Sequence, residues 1–556
     1  MEKMVKVNFR NLETKEFVVG TSFNEISKSF AHYFNYPILI ANANNNVVEL
    51  SDTLTHKCNV EFFDRSSSQG NSIYGRSLQF ILFLAVRRVL GKESEVIVEN
   101  SVDKGFYCEL YGAKEHIDKS TIADIASEMK NIVKEDLTFT KLSVSRVDAI
   151  EFFKQSHRED KVKALKYISN TYINLYRLDD EYDYYYSRLA YSTGQIDKFK
   201  LTYIKNNGFV VSYPDVYNPD DAVEYVQHPM MYDKYAEYTK WGRSIGINNA
   251  ADLNEQVSLG NYNELIRAAE AAYNSQLSDV AEQISENRKN VKLVLIAGPS
   301  SSGKTTTSYR LATYLKCRGL NAYHISLDDY FVNRKYTPKD INGDYDFESI
   351  RALDLELLNK QLLNLIDGKE VSLPVYNFKT GEREFGNKKI QLKQDDIIII
   401  EGLHGLNEDL TAAIDRKNKY KIYVSPLTQL NIDNHNRIHT SDTRKLRRII
   451  RDNKYRGYSA AQTLNSWKKV REGEEKWIFP YQDQADFIIN TALVYELGIL
   501  KTYVEPLLYS VPEDDPQYTE AIRLINFLRN FLPIPSDDVP KESILREFIG
   551  GSCFHD

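Results

Sequence analysis

"LVLIAGPSSSGKTTTSYRLATYL", residues 293–315, decides how the part of the chain around it folds. The apolar run from Leu293 to Ala297 reads as a strand buried on both faces, and the stretch after Lys304 reads as a helix. Between them, Gly298-Pro299-Ser300-Ser301-Ser302-Gly303-Lys304-Thr305 satisfies GxxxxGK[ST], with Thr306 next in line. Glycines let backbone N–H groups turn inward around phosphate oxygens, and the helix N-terminus adds about half a positive charge. Lys304 suits the β- and γ-phosphates, and the Thr305 hydroxyl is a ligand type for Mg²⁺. The flanking strand and helix favour nucleotide binding over a structural glycine turn.

Reading outward, the continuous apolar segments "NAYHISL", "DDIIIIEG" and "KYKIYVS" alternate with helical patterns. That is the signature of a doubly wound α/β domain with a parallel sheet. "HISLDDYF" puts Asp328 and Asp329 at the C-terminal end of the next strand, where such sheets hold their ligands. A carboxylate there can take the proton from an acceptor hydroxyl as it attacks the γ-phosphorus. Glu401 ends "IIIIEG", in position to serve Mg²⁺. In "SDTRKLRRIIRDNKYRGYSA", residues 441–460, Arg444, Arg447, Arg448, Arg451 and Arg456 recur at helical spacing. On spacing alone this is a solvated basic face or a nucleic-acid patch. Beside a phosphate loop, it reads better as a lid that closes over a triphosphate and excludes water.

The chain, at 556 residues, is too long for one core and predicts two to four domains. A net charge of −7 argues against a surface that coats nucleic acid. The four cysteines form no CxxC pair, which predicts reduced thiols. The N-terminus lacks the apolar core of a signal peptide, and "LQFILFLAVRRVL" is too short to span a bilayer, so a cytoplasmic protein without membrane contact is expected.

Residues 1–66 predict two hairpins, "KMVKVNFR" with "KEFVVG" and "PILIANANNNVVEL", around the helix "SFNEISKSFAHYF", which is a β-grasp-like module. Residues 67–225 predict an α+β domain. It has a helix from Tyr74, a strand "SEVIVENSV", a helix capped by Ser120, and a strand "GFVVSYP". The tyrosines of "YDYYYS" are assigned to core packing rather than to a stacking platform. Residues 226–285 predict a helical linker region and 286–556 the P-loop domain, giving a multidomain α/β and α+β chain.

From about residue 290 to 500 the chain resembles the uridine kinase and phosphoribulokinase family. The resemblance is carried by GPSSSGKTT, SLDDYF, "GDYDFESIRALDLELL", "LPVYNF", "IIIIEGLHGLN", "DTRKLRRIIRD" and "FPYQDQADFIIN". It implies ATP- and Mg²⁺-dependent phosphorylation of a nucleoside 5′-hydroxyl, uridine or cytidine being the first expectation. In that reading Asp328 is the base, Gly298 through Thr306 hold the phosphates, and Thr305 and Glu401 serve Mg²⁺. Arg448, Arg451 and Arg456 belong to the lid. Asp346, or its neighbour Asp344, holds the ribose hydroxyls; Tyr376 and Phe378 line the base pocket, and Arg383 lies on the substrate side. Two positions depart from the family. Gly381 stands about where uridine-cytidine kinases carry a pyrimidine-reading histidine, and Tyr458 stands where the lid usually has an arginine. A purine nucleoside or another sugar alcohol therefore stays open as acceptor.

The front half resembles the N-terminal part of threonyl-tRNA synthetase. Residues 1–66 are similar to its TGS module. Residues 70 to about 215 are similar to its second additional domain, through "DKGFYCEL", "LSVSRVDAIEFFKQ" and "STGQIDKFKL". That domain edits mischarged tRNA with an HxxxH motif plus a later Cys and His. Here the matching segments, "GNSIYGRSLQF" and "YYYSRLAYSTG", contain neither residue type, so the fold is expected without the editing chemistry. The resemblance implies a regulatory, oligomerising or RNA-contacting appendage. A competing reading is an RNA- or ribosome-associated protein that uses nucleotide as a switch. The acidic charge balance and the acceptor-pocket motifs weigh against it.

Overall fold

In the computed structural model, residues 3–102, 104–112, 117–340, 343–377, 380–428 and 430–554 are described. They divide into two units. The first comprises Met1–Ser258, Gln429–His439 and Leu508–Leu532. Its N-terminal sheet begins with the antiparallel hairpin of β1 (Met4–Phe9) and β2 (Glu13–Val18). α1 (Phe23–Lys28) follows, started by a reciprocal cap between Ser22 and Glu25. β3 (Ile40–Ala43) and β4 (Asn46–Val48) make the second hairpin, turned by Asn44 and Asn45 at φ 49° and 60°. β5 (Cys58–Phe63) runs parallel to β1 and closes the order β2-β1-β5-β3-β4 over a core of Phe9, Phe30 and Phe62. Both expected hairpins are present.

α2 (Ser68–Leu90) starts earlier than expected at Tyr74, because the Ser67 hydroxyl accepts the Gly70 N–H at 3.0 Å. From Ile73 to Val86 the helix is buried at every position but the partly exposed Gln79, which is why it is apolar on most sides. β6 (Glu95–Val102) and β7 (Gly105–Tyr111) precede α3 (Lys119–Glu135). The cap of α3 is Asp118 and not Ser120: its carboxylate accepts the Thr121 N–H at 2.9 Å. β8 (Thr140–Ser145), α4 (Arg146–Gln155), α5 (Glu159–Lys166), β9 (Tyr172–Leu178) and β10 (Glu181–Tyr184) form a small layer on an antiparallel sheet ordered β10-β9-β8. Tyr184 and Tyr185 are buried, in keeping with core packing. β11 (Lys200–Lys205) and β12 (Gly208–Ser212) complete the sheet β11-β12-β7-β6, and α6 (Pro229–Ser244) and α7 (Ala250–Ser258) end the stretch.

Two later stretches pack into this first unit. Asn431 bridges Asn249, and the Asn434 carbonyl accepts the Val98 N–H at 2.9 Å. The helix Tyr518–Leu528 brings Thr519 to Asn42 at 3.0 Å.

The second unit comprises Leu259–Thr428, Thr440–Leu507 and Pro533–Asp556. It runs α8 (Tyr262–Glu286), β13 (Leu293–Ala297), α9 (Lys304–Cys317), β14 (Asn321–Ser326) and α10 (Leu355–Ile366). An antiparallel ribbon of β15 (Val371–Asn377) and β16 (Glu382–Ile390) follows, then β17 (Asp396–Glu401), β18 (Lys419–Ser425), α11 (Thr440–Arg456), α12 (Ala460–Trp477) and β19 (Phe487–Asn490). The main sheet, β14-β17-β13-β18-β19, is parallel throughout. Its central strands β13, β17 and β18 are almost wholly buried; β13 and β17 accordingly read as aliphatic runs, whereas β18 carries the buried Lys419 and Lys421. Register sets Glu401 beside Ile296 on one side and Ser326 on the other, so the ends of β13, β14 and β17 meet at one edge. Among the described residues, no helix is long and apolar enough to cross a membrane.

Candidate active site

The loop between β13 and α9 is tightly specified by its neighbours. A Cβ on Gly298 would sit 2.0 Å from the Val424 carbonyl oxygen, so only glycine lets the loop approach β18. Gly303 has φ +87°, the left-handed region that glycine enters without strain. The Ser301 and Ser302 hydroxyls are buried with no hydrogen-bond partner among the described residues. Unmet buried hydroxyls in such a loop are groups that a bound phosphate would satisfy. Lys304 folds back on the loop, its Nζ donating to the carbonyls of Gly298 (2.9 Å) and Pro299 (3.2 Å). Burial lowers its pKa, and Arg451 and Arg444 act in the same direction while Glu401 and Glu547 oppose them.

Two carboxylates hold donors of this loop. Glu474 accepts the Ser300 N–H at 3.1 Å. Glu547, from the C-terminal stretch, accepts the Thr306 hydroxyl at 2.7 Å and its N–H at 3.4 Å. Glu547 lies 241 residues from Thr306 in sequence, and no motif announces it.

Acids gather at the adjoining strand ends. The Thr305 hydroxyl donates to Glu401 Oε1 at 3.3 Å. Burial pushes the Glu401 carboxyl up to about 7, with Asp328 and Glu547 adding to the shift and Lys304 and Thr305 opposing it. Asp328 lies in the short turn after β14, its N–H donating to the Ser326 hydroxyl at 3.3 Å. Its carboxyl is solvent-accessible yet hemmed in by protein. That crowding raises its pKa, against the pull of Lys304 and Arg456. Burial likewise raises Glu348, a carboxyl that Arg448, Lys304 and Asp328 all influence and that sequence reasoning passed over. A half-buried hydroxyl and a carboxylate raised by burial form a donor set that a divalent cation would suit, since its charge would favour the ionised carboxylate. Thr305 and Glu401 therefore fit Mg²⁺.

The arginines of α11 divide into two groups. Arg447 is fully buried, paired with Glu496 at 2.7 Å and donating to the Thr491 carbonyl at 2.8 Å. Arg444 is also buried; it pairs with Glu474 and donates to the Ser300 carbonyl at 2.9 Å. These two hold the loop's backbone. Arg448, Arg451 and Arg456 converge on Asp452, whose carboxylate is within 3.2, 3.0 and 3.2 Å of them. Arg448 also donates to the Ser300 hydroxyl at 2.6 Å and so touches the loop directly. The buried Asp452 hub had no signal in the sequence beyond being an acid among arginines.

On the acceptor side, Asp329 accepts the Tyr376 N–H at 3.3 Å and ties β15 to the acidic turn. Tyr376, Phe331 and Phe347 form a chain of ring contacts at 5.5 and 6.1 Å. Phe378 lies outside the described residues. Arg383 is occupied by Asp354 at 2.9 Å. Asp344 is exposed and paired with Lys469 at 2.7 Å, which holds its carboxyl below the usual range. Asp346 is partly buried, its N–H bonded to the Pro338 carbonyl at 2.7 Å. Gly381 has φ +73°, and a Cβ there would meet Arg334 at 2.9 Å. A side chain at that position would be both strained and crowded, which favours glycine there. Tyr458 is half exposed, just past the end of α11.

A parallel sheet with a glycine-rich phosphate loop after its central strand, and acids at the neighbouring strand ends, defines a P-loop α/β domain. Residues 293–496 match the Phosphoribulokinase / Uridine kinase family. A uridine kinase from Staphylococcus aureus is 31% identical over 203 residues, covering 36% of this chain and 88% of that protein. The chain belongs to the phosphoribulokinase and uridine kinase family. Its N-terminal region matches the threonine–tRNA ligase of Desulforamulus reducens, 24% identical over 199 residues, which is 36% of this chain and 31% of the ligase. The chain thus spans about a third of the length of the ligases it matches. Among solved structures, a possible uridine kinase from Bacillus stearothermophilus aligns with 18% identity and a TM-score of 0.26, over 38% of this chain and 98% of that one.

Proposed function

We propose that the protein transfers the γ-phosphoryl group of ATP to the 5′-hydroxyl of a nucleoside, with uridine or cytidine the first acceptors to try. The observation that carries this reading is the meeting of Lys304, Glu401 and Asp328 at one sheet edge: Lys304 and Glu401 shift each other's titration, Lys304 pulls that of Asp328 down, and Asp328 pushes that of Glu401 up. The loop N–H groups and Lys304 bind the β- and γ-phosphates. Asp328 accepts the proton of the acceptor hydroxyl while its oxygen bonds to the γ-phosphorus and the bond to the β-phosphate oxygen breaks, releasing ADP. Arg448, Arg451 and Arg456 offset the charge on the transferring group and keep water away. Mg²⁺, held by Thr305 and Glu401, would neutralise charge on the phosphate oxygens. Tyr376 lines the base side, with Asp346 the candidate for the sugar hydroxyls. Gly381 and Tyr458 leave a purine nucleoside or another sugar alcohol as alternative acceptors.

The test is the purified full chain with ATP, Mg²⁺ and a panel of nucleosides and sugar alcohols, products being identified by mass. A nucleoside one phosphoryl group heavier supports the reading; a panel with no phosphorylated nucleoside overturns it. RNA contact through the front region is a separate proposal, supported by the ligase match alone. Binding of tRNA that weakens steeply with salt would support it, and no binding at low salt would remove it.

A further inference from the structure

The first unit contains a small, partly open cavity of about 30 Å³. Ser72 and Arg76 on α2 form one wall and Tyr186 another. These are the two segments in which the synthetase resemblance calls for an HxxxH motif and for a later Cys and His, and neither residue type is present in them. Two histidines nevertheless line the cavity, His435 and His439, both from the stretch that packs in from beyond β18.

That stretch is anchored by buried charge. His435 is 2% exposed and its Nδ1 is bonded to the Asp183 carboxylate. Burial alone would raise the Asp183 pKa, but Lys161, His435 and Arg158 together hold it well below the usual range. Lys161, wholly buried, bridges Asp183 at 2.7 Å and Asp433 at 2.9 Å. Asn436 donates its amide to the Tyr184 carbonyl (2.8 Å) and to Asp433 (2.7 Å).

Two polar atoms are left over. Among the described residues, His435 Nε2 and Asn436 Oδ1 are buried and have no hydrogen-bond partner, although both side chains form the cavity wall. Each is a cost that a native structure rarely leaves unmet. Beside them stand two guanidinium groups. Arg76 is anchored by the Arg188 carbonyl at 2.9 Å, and Arg437 lies 2.8 Å from His439 Nδ1. Two guanidiniums repel a metal cation and favour an oxyanion, most strongly one with several oxygens.

We propose that this cavity is a second ligand site, which takes the phosphate head of a small molecule. The site asks for a group that accepts from the arginines yet also donates to Asn436 Oδ1. A singly protonated phosphate does both, whereas a carboxylate or sulfate near neutral pH only accepts. The volume admits two or three water-sized atoms, so two or three of the phosphate oxygens enter and the rest of the group and of the ligand stay at the open mouth. His439 is followed directly by Thr440, the first residue of α11, so occupancy fixes the stretch that leads into the arginine helix.

The test uses the full chain carrying Lys304→Ala, so that the phosphate loop no longer competes. Inorganic phosphate, a nucleoside monophosphate and sulfate are titrated by calorimetry. The expected result is one saturable phosphate site with a Kd below about 10 mM, and sulfate weaker by about tenfold or more for want of the donated hydrogen bond. Whichever of inorganic phosphate and the monophosphate binds tighter identifies the source, and either supports the shared chemistry. Adding Gln79→Glu, a partly exposed wall position, places a negative charge in the cavity while leaving the bonds of Arg76 and Asn436 intact. It should weaken phosphate by about tenfold with an unchanged melting temperature. No saturable binding, sulfate as tight as phosphate, or binding indifferent to Gln79→Glu in folded protein would overturn the proposal.

Discussion

Glu401 and Glu547 carry the sharpest consequences at the scale of single residues. A Glu401 carboxyl at about 7 is largely protonated at pH 6 in metal-free protein, and Mg²⁺ needs it ionised. Mg²⁺ binding should therefore release close to one proton at about pH 6 and almost none at about pH 8.5, which calorimetry in buffers of different ionisation enthalpy reads directly. The same shift acts on stability. As pH rises from the unfolded value of 4.5 towards about 7, the unfolded chain ionises first, so the metal-free protein loses stability across that window. Glu547 places a carboxylate on the Thr306 donors that a phosphate would otherwise use. Glu547→Gln keeps the shape and removes the charge, so nucleotide affinity should rise by roughly three- to tenfold; a weaker affinity would assign Glu547 to supporting the loop. The phosphate loop, Asp328 and Glu401 were legible in the sequence because strand ends and glycine spacing are local signals. Glu547, Glu348 and Asp452 were not, since their roles exist only once distant segments fold together.

At the scale of elements, α11 looked like one arginine face and proves to be two. Arg447, buried against Glu496, is a structural pin; Arg447→Leu would strand that carboxylate and should cost about 3–5 kcal/mol in chemical denaturation. Arg456 has half its side chain in solvent, and Arg456→Ala should cost under about 1 kcal/mol while still slowing phosphoryl transfer. Helical spacing located all five arginines but could not tell the buried Arg447 from those gathered on Asp452, because the partner acid Glu496 lies 49 residues away. The strand pattern transferred more faithfully. The aliphatic runs from Leu293 and Ile397 became central strands of the parallel sheet, "NAYHISL" became its edge strand β14, and the Asn-rich turn became the β3–β4 hairpin. Helix starts shifted where a competing cap was nearer, Ser67 for α2 and Asp118 for α3.

At the scale of the whole molecule, chain order and packing order differ. The first unit takes in Gln429–His439 and Leu508–Leu532, stretches that follow the phosphate loop in sequence. A fragment ending at residue 258 would keep Lys161 and Asp183 but lose Asp433 and His435, leaving wholly buried charges short of partners. Such a fragment should be destabilised by several kcal/mol, on the order of 3–5, and express as aggregate or with non-cooperative unfolding. A soluble fragment with a sharp melt would refute that. Periodicity and motif reading follow the chain in order, so this interleaving was out of their reach. The claim on which everything else turns is that Asp328 takes a proton from an acceptor hydroxyl. The direct measurement is kcat for Asp328→Asn with the best acceptor of the panel, alongside the Kd for ATP. A fall in kcat of about 10²- to 10⁴-fold with ATP affinity changed less than about threefold is the predicted result, and turnover equal to the unsubstituted protein would contradict it.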